Sequence, residues 1–405
     1  MITVEQAKSI LLQNIPVLTE KVEVKIAEAL GYRLAEDIYA TLNLPPFDQS
    51  NVDGYAIRFA SGQQIPASKQ QFLAYKVIAE IKAGDSTNLK LEAGEAARIF
   101  TGAMVPEASD AIIMQEHITR NGNLITSNEL LPKAGEQIRK EGAQIKEGEL
   151  ALDKGTLLNP SVIGFLAALS LQKVTVFKKP SVSLIITGNE FQESNTTNLA
   201  PGKIYESNSA TLHSALISMG LTLNSIHFVK DDKKALEQTI NDALPGADLL
   251  LISGGISVGE YDFVKEALMD NGITTLFHKI AQKPGKPLYF GKNKTTFVFG
   301  LPGNPASALT CFYQYVYPAL RKMQGHSTLF LKTLQLQALK DISKKTGLAH
   351  FLKAQIKTDG VLPLQGQESF IMKSFAEAGA FLYLPKEKES VHAGEMVEVH
   401  LLPES

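Results

Sequence analysis

The stretch ADLLLISGGISVGEYDFVKEALMDNG, Ala247 to Gly272, decides the fold. Its first part is a short, almost unbroken apolar run. A run that short reads as a strand buried on both faces, as in a parallel sheet. Its last part, from Tyr261 onward, has the spacing of an amphipathic helix. Between the two, Ser253, Gly254, Gly255 and Ser257 leave a loop whose N–H and O–H groups can face a phosphate, and Gly259 lets the chain turn again. Glu260 and Asp262 then stand just before, or in the first turn of, the helix. Two readings of these acids are open. Acids are favourable at a helix N-terminus in any case. Two acids beside a glycine-rich anion loop also suit Mg²⁺, which takes one or two carboxylates plus phosphate oxygens.

The same alternation extends to both sides. SVSLIIT, LTLNSIHFV and TTFVFGL read as strands. SATLHSALISMG (ended by Gly220), DKKALEQTINDAL and PASALTCFYQYVYPALRKM read as helices. Strands alternating with helices of that length predict βαβ units and a parallel sheet covered on both faces. Ligands of such sheets bind outside the carboxyl ends of the strands, and three ends carry unusual residues. One is the opening loop. Another is TGNE, Thr187 to Glu190. The third is GLPGNPAS, Gly300 to Ser307, where Asn304 is a good N-cap and Pro305 fits the first helical turn. There Gly300 and Gly303 would let backbone N–H groups approach an anion; a merely well-capped helix is the plainer reading. HKIAQKPGKPLYFG places Lys279, Lys283 and Lys286 within eight residues. It is either a solvated basic loop or a set of point charges for an oxyanion.

The flanks differ in character. Helices are expected over roughly 3–13 and 22–32, then an irregular stretch where Pro45 and Pro46 block a helix. Short strands with Gly-, Pro- and Asn-rich turns predict a small β-rich module over about 55–140, and a helical segment follows near 160–171. Asp48, Asp53 and Arg58 cluster around one turn, and Thr101 and Gly102 close a strand; residue chemistry alone assigns them no role. TLQLQALK, HFLKAQIK, AFLYLPK and MVEVHLL predict a separate C-terminal β module. The expected divisions are 1–178, 179–326 and 327–405.

Composition narrows the function. The 405 residues exceed one typical domain, and 44% hydrophobic with 20% charged residues is ordinary for a soluble globular chain. A net charge of −2 gives no global basic field for nucleic acid. A single cysteine, Cys311, can form neither an intramolecular disulfide nor a thiolate metal cluster. The start reads as an amphipathic helix rather than a signal peptide, and the most apolar run, VIGFLAALSL, has about half the ~20 residues of a membrane span. A cytoplasmic protein without membrane contact is therefore expected. GxxxxGK[ST] and GxGxxG after a strand are both missing from the sequence, which argues against P-loop and Rossmann chemistry.

Seven motifs in order, PPFDQSNVDGYAIR, IFTGAMVPEASDAIIMQE, TGNE, PGKIYESN, SGGISVGEYD, KPGKP and GLPGNPAS, resemble the MoeA family of molybdopterin molybdenumtransferases, similar to the gephyrin E domain. The resemblance runs from about residue 3 to 402. The central domain taken alone also resembles MogA-type adenylyltransferases and the CinA family. The resemblance implies a multidomain α/β plus β chain. Its parts are an elongated N-terminal region with a β-rich insert, a doubly wound molybdopterin-binding domain and a C-terminal β-barrel-like module. It implies a reaction of adenylylated molybdopterin with molybdate, assisted by Mg²⁺, that releases AMP. It also implies a homodimer, with contacts to a MogA-type adenylyltransferase and to molybdoenzymes.

Carried across on matching motifs, Asp262 and Glu190 would hold the metal, and Asp53, Thr101, Lys279 and Lys283 would join them as catalytic residues. Ser253, Gly254, Gly255, Ser257, Lys286, Gly300, Pro302, Gly303, Asn304 and Ser307 would seat the substrate. Arg139 would attract the oxyanion, Asp231 or Asp232 matches a family aspartate, and Ser369 and Ser374 lie where family serines approach the cleft. The chain departs from the family pattern at Ala143 and Gln144, which replace two acids, and at Asn189, which replaces one. The rival readings are the adenylyltransferase step itself and a non-catalytic molybdopterin carrier or scaffold.

Overall fold

A computed structural model of the chain describes residues 1–59, 74–127, 132–192, 198–256 and 263–403. Ser257 and Asp262, with Gly259 and Glu260, lie outside the described residues. The described chain forms two compact units, residues 1–22 with 177–405, and residues 23–176.

In the first unit a six-stranded sheet runs Leu223–Val229, Val182–Thr187, Leu249–Ser253, Phe297–Leu301, Tyr289–Lys292, Thr274–His278. The first four strands are parallel, as the sequence predicts. The last two are antiparallel, which corrects the expectation of an all-parallel sheet. The chain runs from the edge strand Thr274–His278 through Tyr289–Lys292 to Phe297–Leu301 without a crossover helix, so these neighbours pair antiparallel. Every residue of Val182–Thr187 and Leu249–Ser253 is buried, because helices cover both faces. The period of two sorts the side chains: Leu249 and Leu251 enter one core, Leu250 and Ile252 the other. Helices Lys233–Ala243 and Phe263–Asp270 supply Leu236, Ile240, Val264 and Leu268 to the second core. Helix Asn208–Ser218 supplies Leu212 and Leu216 to the first.

The same first core takes in Val4, Ala7 and Leu11 of the N-terminal helix Val4–Asn14, which Thr3 and Gln6 close with a capping box. It also takes in Phe351, Phe375 and Phe381 from the C-terminal β module. The long helix expected from Pro305 is continuous but mixed: Pro305–Cys311, a π turn over Phe312–Val316, then Tyr317–Met323. Pro318 has no N–H to donate, so the regular ladder cannot pass through it. The C-terminal sheet runs Gln282–Lys283, Ala349–Lys357, Ala380–Leu384, Met396–Leu401, Thr333–Gln337. Its first strand is borrowed from the QKPGKP stretch of the central domain.

The second unit holds a six-stranded sheet in the order Ala111–Met114, Gly54–Ile57, Glu95–Ile99, Ala74–Ile81, Leu124–Ser127, Ile118–Asn121. Its helix Pro160–Ala168 is capped by Asn159. The helix expected over 22–32 is replaced by a strand, Lys21–Lys25, and a 3₁₀ turn, Ile26–Glu28. Lys-Val-Glu-Val-Lys alternates with period two and its valines are β-branched, so the local pattern outweighs the helical spacing. Among the described residues no helix is long and apolar enough to cross a membrane.

Candidate active site

A cleft of 580 Å³ opens at the carboxyl ends of Val182–Thr187, Leu249–Ser253 and Phe297–Leu301. One wall is Thr187, Glu190 and Asp231, and another is Pro302, Gly303 and Asn304. Gly254, Gly255 and Ile256 lie between, and Ile204, Tyr205, Glu206, Asn208 and Phe370 complete the rim. Among the described lining residues three side chains are carboxylates and none is a lysine or arginine.

The glycines have a more local cause than ligand approach. Gly254 sits at φ +102°, and a Cβ there would come within 2.1 Å of the Thr187 carbonyl oxygen. Its N–H donates to Leu301 O at 3.3 Å. Gly300 lies inside the ladder, opposite both Ile252 and Tyr289, and a Cβ would meet Ile256 Cδ1 at 2.1 Å. These two glycines therefore serve the packing of strand ends, not open N–H donors. Gly254 nevertheless lines the cleft, together with Gly255 and Gly303.

The structure divides the aspartate pair after Leu223–Val229. Asp232 is the N-cap of its helix, accepting from Ala235 N at 2.9 Å. Asp231 lines the cleft, accepts the Thr187 hydroxyl and, through its own N–H, donates to Asn189 Oδ1 at 3.2 Å. Asn189, where the family pattern has an acid, thus braces the loop that carries Glu190.

Asn304 does not use its side chain as a cap. Its Nδ2 donates to Ser369 Oγ at 3.0 Å, and the Ser369 carbonyl accepts from Ala306 N at 3.1 Å. The first-turn donor expected for an anion is therefore met by a loop from the C-terminal module. Ser307 and Ser253 are buried, 3% and 1% exposed, and neither lines the cleft. Ser374 is 6% exposed and donates to Gly366 O at 2.6 Å.

Lys279, Lys283 and Lys286 stand apart from the cleft's lining residues. Lys279 is half-buried at φ +68°, in a turn closed by Lys279 N to Leu288 O and Ile280 N to Lys286 O. Lys283 is exposed on the borrowed strand, paired with His350. Its charge, after burial and Lys344, helps hold the His350 imidazole down at about 4. Lys286 is exposed, but its neighbour Pro287 lines the cleft.

The second unit joins two of the sequence's candidates directly. Thr101 N and Thr101 Oγ1 each donate to Asp53 Oδ1 at 2.8 Å. Those two bonds, backbone first, with help from Arg98, hold the Asp53 carboxyl below its ordinary value of 3.8. Arg139 is exposed on a ribbon, Ile138–Arg139 with Gln49–Ser50.

Glu206, Asn208, Tyr205 and Phe370 are among the cleft residues that escaped assignment from sequence. Glu206 accepts from Ser209 N at 2.9 Å, a capping bond one turn into the helix that PGKIYESN announces. Asn208 donates to Ser253 Oγ and Gly303 O, both at 2.8 Å, while its Oδ1 is buried without a partner. Its place just before a helix is a signal for capping but not for a cleft. Tyr205 lies in the PGKIYESN motif but nothing there marks its ring, and Phe370 carried no signal, since the exposure of both depends on tertiary placement.

Comparison with known proteins agrees with this geometry. Residues 2–170 match the MoeA N-terminal region (domain I and II), residues 183–322 a probable molybdopterin binding domain, and residues 335–402 the MoeA C-terminal region (domain IV). A molybdopterin molybdenumtransferase of Haemophilus influenzae is 35% identical over 413 residues, covering 99% of this chain and all of that protein. Another from Staphylococcus epidermidis is 32% identical over 98% of this chain and 94% of its own. A crystal structure of a molybdopterin biosynthesis MoeA protein from Pyrococcus horikoshii superposes with a TM-score of 0.82 at 30% identity, covering 99% of this chain and 100% of that one. The chain belongs to the MoeA family.

Proposed function

We propose that this chain is a molybdenumtransferase that inserts molybdenum from molybdate into adenylylated molybdopterin, releasing AMP and leaving molybdenum cofactor. The single observation that carries this reading is the cleft at three parallel strand ends, walled by Glu190 and Asp231 on one side and Pro302–Asn304 on the other. Full-length similarity to proteins named for this activity supports it.

The donor set suits Mg²⁺. Carboxylates line the cleft and no lining cation offsets them, so an adenylate phosphate would meet repulsion unless a cation came with it. Glu190 and Asp231, which line the cleft, would hold Mg²⁺ together with Asp262. When bound, Mg²⁺ would neutralise charge developing as the phosphoanhydride breaks. The chain's own part is to fix this wall: Thr187 and Asn189 both bond Asp231 or its backbone, so its carboxylate meets the substrate in one orientation. Asp53, bonded twice by Thr101, is an ionised carboxylate at neutral pH. Lys279, Lys283, Lys286 and Arg139 would draw molybdate, a dianion, to the protein as point charges. A homodimer, a cytoplasmic location and contacts with a MogA-type adenylyltransferase and molybdoenzymes belong to the same reading.

The test is direct. Purified protein given adenylylated molybdopterin, molybdate and Mg²⁺ should release AMP and yield cofactor that activates an apo-molybdoenzyme. No AMP release overturns the reading. ATP consumption with free molybdopterin would instead mark an adenylyltransferase.

A further inference from the structure

The loop 364–371 enters the cleft rim from the C-terminal module and is held unusually firmly. Lys353 is 3% exposed, and its buried ammonium donates to Ile371 O at 2.8 Å and Glu368 O at 3.4 Å. Gln367 donates to the carbonyls of Lys353 and Leu364 at 2.9 and 2.8 Å and accepts from Lys353 N at 2.9 Å. At the loop's tip Ser369 locks onto Asn304 and Ala306. All this order presents one side chain, Phe370, which lines the cleft yet is 65% exposed. Packing the loop buries polar groups and a charge, while the one large apolar ring is left facing out.

The cleft offers that ring a chemical complement. Tyr205, 45% exposed, is a second aromatic lining residue. Asn208 is 4% exposed and its Oδ1 is an acceptor with no partner among the described residues. The amide orientation is fixed, because Gly303 O can only accept and so must face Nδ2. The aromatic rings of Phe370 and Tyr205 and the carboxylates and Asn208 amide that share the cleft lining match a flat ring with N–H donors.

We propose that Phe370 is a stacking face for the N–H-bearing heterocycle of the substrate, an aminopurine or a pterin, with Lys353 as the positioning residue that holds its loop. This rests on the reading that the cleft takes adenylylated molybdopterin, which carries both rings.

The chain has no tryptophan, so Phe370→Trp creates a sole tryptophan, whose emission is selected by exciting beyond tyrosine absorption. Titration with AMP, with pterin and with ribose 5-phosphate separates the sources. Quenching by AMP or by pterin, and not by ribose 5-phosphate, supports the proposal and says which ring stacks there. No quenching by either ring, or equal quenching by ribose 5-phosphate, overturns it. Phe370→Ala should raise KM for adenylylated molybdopterin about five- to a hundredfold, with Phe370→Tyr restoring it; an unchanged KM overturns the proposal alone. Lys353→Met in the tryptophan-bearing protein should weaken the quenching at an unchanged fold, read by circular dichroism, and Lys353→Arg should restore it. Full quenching in the Met variant overturns the positioning role. The fluorescence needs no turnover, so quenching without AMP release would sink the transferase reading and leave this one standing.

Discussion

Asp53 in the second unit and Asp231 in the central cleft are both motif aspartates at strand ends, yet they are built to opposite purposes. Asp53 takes two donors on one oxygen from a single neighbour, Thr101, and its carboxyl is held below its ordinary range. Asp231 receives one hydroxyl and shares its cleft with two more carboxylates and an unpartnered amide oxygen. One site has satisfied its polar groups internally; the other has left capacity for something to be brought in. Unsatisfied buried polarity is costly to keep, so where it persists beside a cleft it points to a ligand.

The largest effect should come from breaking the cleft's scaffold. Gly254→Ala forces a Cβ against the Thr187 carbonyl at a left-handed backbone position. We expect a loss of about 2–5 kcal/mol in denaturant unfolding, and loss of turnover with it. A wild-type melt would mean the strand ends are not packed as described. Next, Asp231→Asn keeps an acceptor for Thr187 but removes the charge. Turnover should fall about 10–100-fold, with a melt close to wild type; full activity would put Asp231 beside the chemistry rather than in it.

Smaller effects sharpen the other side. Thr101→Val removes the side-chain bond to Asp53 and leaves the backbone one, so the Asp53 titration midpoint should move up toward 3.8. Because the folded value is depressed, the stability Asp53 contributes is present above its unfolded value and lost as pH falls through the folded one. Carbon-detected NMR of the carboxyl would show the shift, and a static midpoint would mean Thr101's hydroxyl does not bond it. The smallest effect is Lys283→Met, which should let the His350 imidazole rise from about 4. Burial and Lys344 remain, so the rise is partial. Since His350 is depressed below its ordinary 6.5, its contribution to stability falls away as pH drops from that value toward about 4. An unmoved histidine resonance would place Lys283's charge elsewhere.

The central domain was legible because its signal is local. Apolar runs such as LLLIS and helices such as KKALEQTINDA carry their period within ten or so residues, and the ladder followed the prediction. The antiparallel edge was not legible, since Tyr289–Lys292 is four residues without a distinctive pattern. The site was half legible. Strand-end motifs led to Glu190, Asp231, Gly255 and Asn304, all of which line the cleft. The lysine spacing says nothing of direction, and Lys283 lies on the borrowed strand that pairs with the C-terminal sheet. Asn304 looked like a cap because Asn-Pro caps helices locally, but Ser369, sixty-five residues on, competes for its amide. Phe370 follows from a loop held by Lys353, a long-range arrangement with no sequence period.

The strand Gln282–Lys283 has one more consequence. It lies in the chain of the central domain but hydrogen-bonds into the C-terminal sheet, and Phe351, Phe375 and Phe381 share a core with Leu184 and Phe299. Cutting the chain near residue 327 would therefore strip the neighbour from Ala349–Lys357 and expose the aromatic wall at once. The two parts should melt as a single calorimetric transition and resist separate expression. In evolutionary currency, they can be exchanged only as a pair.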